Sequence, residues 1–211
     1  MKFRRKSAET EPDAGPGDEV TPEPGPTTGP YDIDDLPDDD VARMDLGSML
    51  IAPAEGSEIR LQVDEATEAV QAVLLAGAEG ALELRAFAAP RNGDLWSEIR
   101  PRLAADFAQR GGTADEREGR FGTEVVGRLT VRNPDGSTGT QPSRIIGVNG
   151  PRWMLRATLL GRPAVEPESA QAWEDAIAQV VVRRGSQPMP SGGELPLTLP
   201  RDGTLIEHPN A

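Results

Sequence analysis

The chain has 211 residues, a formal net charge of -13 and a mean hydropathy of -0.47, a length that fits one domain with tails. It has no cysteine, one histidine (His208) and two lysines (Lys2 and Lys6), all outside the body of the chain. Disulfides, thiolate chemistry, a Ser-His-Asp triad, a histidine zinc site, a Walker A lysine and a Schiff-base lysine therefore each lack their key residue there.

The first six residues are basic, but no apolar run follows, so they do not read as a signal peptide. Residues 7–42 carry twelve acidic side chains and no basic one, with seven prolines between Pro12 and Pro37. Such a stretch cannot bury enough apolar area to offset its ordering entropy, which predicts a disordered arm over residues 1–28. In residues 29–45 apolar side chains interrupt the acids. Tyr31, Asp32, Ile33, Asp34, Asp35 and Leu36 read as a linker that can dock on the domain or on a partner. Residues 46–200 form the domain, and 201–211 read as a flexible tail.

Within the domain, Leu46–Ala52 predicts a short edge strand. Ile59, Leu61 and Val63 alternate with polar residues, as in a half-buried strand, and Glu68–Leu75 and Ala81–Ala88 give two more. The period then changes. Leu95, Trp96, Ile99, Leu103 and Phe107 have helical spacing, with Asp94 as N-cap and Gly111-Gly112 as the stop. Pro101 is expected to kink that helix or to end a first turn. A polar strand follows over Ala114–Gly119. Glu124–Arg132, Thr138–Val148 and Arg152–Leu160 predict a three-stranded meander, turning at Asn133-Pro134-Asp135-Gly136 and near Asn149-Gly150. Pro167–Ile177 reads as a second amphipathic helix, Val180–Arg183 as a last strand, and Leu195–Leu199 as an extended stretch between prolines. The order predicts an α+β fold: a mainly antiparallel sheet covered by two amphipathic helices.

Four strings carry a resemblance: Gly29-Pro30-Tyr31-Asp32 through Asp40, Leu84 through Pro90, Leu95-Trp96-Ser97-Glu98-Ile99-Arg100-Pro101, and Gly147-Val148-Asn149-Gly150-Pro151-Arg152-Trp153. Together they resemble the actinobacterial domain-of-unknown-function family numbered 3710, over roughly residues 29–200. The resemblance implies a high-GC actinobacterial source and a cytoplasmic location, and brings no activity. The strand-helix order is also similar to the Mog1/PsbP-like sandwich, which is an analogy of fold and not of function.

Arginine outnumbers lysine twenty to two, a codon signature before it is chemistry. Arg128, Arg132, Arg144, Arg152 and Arg156 alternate against apolar residues along the meander. If they share one sheet face, that face is a candidate site for phosphate or nucleic acid. Acids still outnumber arginines beyond Leu46, so no basic field surrounds them. The aspartates of residues 32–40 lack the mid-loop glycine and closing glutamate of a calcium loop. Trp96, Trp153 and Trp173 sit at apolar-periodic positions and read as core. No spacing selects a catalytic pair among Glu83, Glu98, Glu124, Glu166 and Glu174. The sequence thus points to a non-catalytic protein acting through an unidentified protein partner, with no cofactor, metal or membrane contact. The alternative is anion binding on the arginine face, with the acidic arm as internal competitor.

Overall fold

A computed structural model describes residues 29–199 apart from 65, 67, 68, 92 and 133–135, together with the backbone of Leu205 and Ile206. The fold is α+β. Its main sheet has seven strands, all antiparallel, in the order β4-β5-β6-β10-β9-β8-β7. These are β4 (Ser57–Val63), β5 (Val70–Gly77), β6 (Gly80–Ala88), β7 (Thr113–Gly119), β8 (Gly122–Arg132), β9 (Thr138–Gly150) and β10 (Trp153–Gly161). Two meanders therefore meet at one long-range pair, β6 with β10. Helix α1 (Leu95–Gln109) carries the chain from one meander to the far edge of the other.

The alternation predicted for the strands sends side chains to two cores. On one face, Leu82, Leu84, Ala86, Leu155, Ala157 and Leu159 pack beneath α2 (Pro167–Ala178) and a small second sheet. On the other, Phe87, Val125, Ile145 and Met154 receive Leu95, Trp96 and Phe107 of α1. Asp94 caps α1 by accepting from Ser97 N at 3.0 Å. The helix runs on through Pro101 instead of stopping there. Both ends are seated on glycine. A Cβ at Gly147 would lie 2.1 Å from Trp96, and one at Gly127 would lie 2.2 Å from Phe107. The proline is on the exposed side, so the helix tolerates the hydrogen bond it loses there.

The small sheet has the order β1-β11-β3-β2-β12: β1 (Tyr31–Asp32), β2 (Arg43–Asp45), β3 (Met49–Ile51), β11 (Val181–Val182) and β12 (Leu205–Ile206). Of the strand expected over Leu46–Ala52 only Met49–Ile51 forms, as β3, because the chain turns at Gly47 with φ 83 to pair β3 with the preceding β2. Residues 29–45, read as a linker, are built into this sheet. Tyr31–Asp32 pair in parallel with Val181–Val182. Arg43 is 1% exposed. Its two Nη groups grip the carboxylate of Asp39 at 2.8 and 2.9 Å, and its Nε donates to the carbonyl of Gln179 at 3.1 Å. Gln179 is the C-cap of α2, where a cation is favoured by the helix dipole.

The extended stretch expected over Leu195–Leu199 fills a gap in the main sheet. β5 and β6 stop pairing at Val73–Leu84. Beyond it, Gly193 and Leu195 bond to Ala88 and Ala86 of β6, and Leu197 bridges Val70 and Gly47. The expected tail begins outside the described residues, but the backbone of Leu205–Ile206 pairs with β2. The arm over 1–28 and most of the turn at 133–136 also lie outside them. Among the described residues no helix is long and apolar enough to cross a membrane.

Candidate functional site

The five candidate arginines do not share a face. Register decides this. Across β8 and β9 Val126 faces Arg144, so Arg128, Arg132 and Arg144 lie on the α2 side. Across β9 and β10 Arg144 faces Leu159, which puts Arg156 on the opposite side. Arg144 is buried and closed into ion pairs with Glu124 at 2.8 Å and Glu174 at 2.6 Å. Glu124 in turn accepts from Arg117 at 2.6 Å. Arg156 stands directly opposite Arg85 and lies over the Phe87 ring at 5.2 Å. Burial, then the like charge of Arg85, pulls the Arg156 guanidinium below the ordinary arginine value. Arg85 loses to burial but gains more from Glu83 and Glu194, and ends raised. This second cluster of two arginines and two glutamates is balanced on itself.

Arg152 belongs to neither face. Gly150 pairs with Trp153, so Pro151 and Arg152 form a two-residue hairpin loop. Arg152 has φ 62. Proline followed by a positive-φ residue is the type II pattern, whose second central position normally takes glycine or asparagine. Beside this loop runs the segment Tyr31–Leu36. Asp32 anchors it: its Oδ2 accepts from Trp153 Nε1 at 2.6 Å, and its Oδ1 accepts from Asp34 N at 3.0 Å. Trp153 is otherwise buried at 1% exposure. The segment expected to dock does lie on the chain's own domain, against a tryptophan and a strand. A pocket of about 370 Å³ lies between it, the Arg152 loop, Arg183 and Arg184. The sequence reading missed Arg183 and Arg184. Their signal was a basic pair directly after the β-branched run Val180–Val182.

A second cavity, of about 470 Å³, lies along α2. Its walls are mainly apolar: Ala52, Pro53, Ala54, Ala172, Trp173 and Ala176, with Glu55, Arg120 and Asp175 at the rim. Trp173 is half-buried, and its ring edge leaves only 3.0 Å to a Cβ built on Gly77. The other two tryptophans bond internally, Trp96 Nε1 to the Thr123 carbonyl at 2.7 Å and Trp153 Nε1 to Asp32. Trp173 Nε1 has no acceptor among the described residues. Arg120 pairs with Asp175 at 2.5 Å across the rim.

What fold and cavities define is an α+β sheet domain of two meanders, with its N-terminal segment sewn into a second small sheet. The chain belongs to the family described as Protein of unknown function (DUF3710), which matches residues 29–204. No curated protein and no solved structure matches it. The comparison with the Mog1/PsbP-like sandwich remains one of element order.

Proposed function

We propose that this chain is a non-catalytic protein-contact domain, and that the trough along α2 is where it takes its partner. The observation that carries the reading is Trp173. A half-buried indole flanked by apolar side chains, with an N–H donor that has no acceptor among the described residues and a charged rim, is the kind of anchor on which interface energy concentrates. The occupant it fits is a polypeptide segment with one or two apolar side chains for the trough and a main-chain carbonyl for the indole. The buried carboxylate Glu124 is shared between two arginines. Held in that way, it serves packing and not proton transfer.

The experiment places a photo-crosslinking residue at Glu55, on the rim, in cells of the source organism. A matched probe replaces Arg102, which is exposed on α1. Discrete adducts are expected at position 55, absent at 102, and lost when Ala172→Arg fills the trough. Adducts at 55 that survive Ala172→Arg, or that match those at 102, overturn the reading.

A further inference from the structure

The pocket between the Tyr31–Leu36 segment and the Arg152 loop has two walls of opposite charge that do not neutralise each other. On one side, neither Arg152 nor Arg184 makes an ion pair among the described residues. Arg183 beside them is already spent on Asp45 at 2.9 Å and on the carbonyl of Gly47. Arg184 is fixed in place: Nη1 donates to the Gln187 carbonyl at 3.0 Å, and its Nε is sealed from solvent with no partner. Arg152 is held by its loop in a left-handed conformation that a long side chain rarely adopts. On the other side, Asp34 and Asp35 line the pocket, exposed and without an ion pair among the described residues. Asp32 cannot swing across, because the Trp153 indole and the Asp34 amide hold both its oxygens.

We propose that this pocket binds a small dipolar ligand, its anionic group on Arg152 and Arg184 and its ammonium on Asp34 and Asp35. A plain oxyanion fits less well, because the aspartates leave the pocket with no net positive charge. A plain cation is opposed by the guanidinium groups. A molecule that carries both charges satisfies both walls at once, and linking its two ends makes the second contact effectively intramolecular. A strained backbone under a side chain with no hydrogen bond or ion pair among the described residues is the pattern expected of a preformed site. A volume of about 370 Å³ is in the range of small-molecule sites.

The test is calorimetry on the full chain with three dipolar probes of different length: γ-aminobutyrate, L-lysine and phosphoethanolamine. Inorganic phosphate and ethanolamine serve as the separate halves. At least one dipolar probe is expected to bind ten-fold or more tighter than either half. Arg152→Gln combined with Arg184→Gln should abolish that binding. Asp34→Asn combined with Asp35→Asn should weaken the dipolar probe several-fold and strengthen inorganic phosphate. All four are pocket-wall side chains outside both cores, and an unchanged melting temperature checks that each variant is folded. If the asparagine variant binds the dipolar probe better, the site is a simple anion site and the proposal fails. It fails equally if no dipolar probe shows binding that depends on Arg152 and Arg184. Neither result bears on the trough along α2, which shares no residue with this pocket.

Discussion

Gly147→Ala is a small change that the structure makes expensive. The new Cβ would stand 2.1 to 2.6 Å from three atoms of the Trp96 ring. Carbon atoms pack comfortably at about 3.5–4.0 Å, so the indole must retreat by roughly 1.4 Å. It has no free room, being 5% exposed, and its Nε1 is bonded to the Thr123 carbonyl at 2.7 Å. Overpacking of this kind costs about 1–3 kcal/mol, and the strained or broken hydrogen bond adds about 0.5–1.5 kcal/mol. Restricting the unfolded chain returns about 0.4–1 kcal/mol. The net is about 0.5–4 kcal/mol. For a domain of this size that lowers Tm by roughly 1–16 °C, readable by circular dichroism. Trp96→Leu in the same chain should recover part of the loss, since the smaller side chain leaves room for the methyl group. A Gly147→Ala protein melting with the parent, or a double variant whose losses simply add, would refute the socket.

Trp153→Ala should cost about 3–5 kcal/mol, because a fully buried indole is removed. A variant keeping only Trp153 should emit at short wavelength, and emission like that of free indole in water would contradict its burial. Glu124→Ala strands Arg117 and Arg144 around a buried space. We expect a loss of about 3 kcal/mol in urea melts, the low end for a broken buried pair, because Arg144 keeps Glu174; a loss under about 1 kcal/mol would sink that view. Asp94 is held below the usual carboxylate range, first by the hydrogen bonds from Ser97 and then by Asn149 and Arg100. A depressed folded value means stability present above the unfolded value of about 4 and lost as pH falls through the folded one. Asp94→Ala should therefore cost about 1 kcal/mol near neutrality, and the gap to the parent should narrow in acid below about pH 4. A gap that stays constant to low pH counts against the cap.

Most strands and both helices were legible, because burial on one face writes itself as period two or period 3.6. Trp96, Trp153 and Trp173 were all placed in the core on that basis; the first two are buried, whereas Trp173 is half-buried and packs only against the core's edge. The arginine face was not legible as drawn, although a parity rule was available. Across the hairpin of β9 and β10 paired residue numbers sum to an odd value, so two even-numbered residues, Arg144 and Arg156, must point to opposite faces. Across β8 and β9 the sum is even, so Arg128 stays with Arg144. Residues 29–45 read as a linker able to dock, and composition could not say where they would lie. Acidic, proline-rich texture predicts solvation, but two tertiary contacts outweigh it: Asp32 on Trp153, and Arg43, itself paired with Asp39, on Gln179. Trp153 and Gln179 lie far along the chain, and no local pattern marks them. The role of Leu195–Leu199 as filler between β5 and β6 likewise depends on where β5 diverges, which only the folded sheet determines.

The junction of β6 with β10 has a kinetic consequence. Each meander closes through neighbouring strands, whereas this pair joins residues from Ala88–Trp153 to Gly80–Gly161, with all of α1 and three strands between them. Closing so long a loop costs entropy before any contact repays it, so docking of the two halves should set the refolding rate. Ala86→Gly and Ala157→Gly, on either side of the seam, should slow refolding more than they speed unfolding, and stopped-flow chevrons would show the opposite if the halves dock late. The chain's last third then returns to earlier strands twice, laying Gly193–Leu195 along β6 and Val181–Val182 along Tyr31–Asp32. Among the described residues, Tyr31–Asp32 has no strand partner until Val181–Val182 has been made. During synthesis, Tyr31–Asp32 must therefore wait for nearly the whole domain before it finds its place.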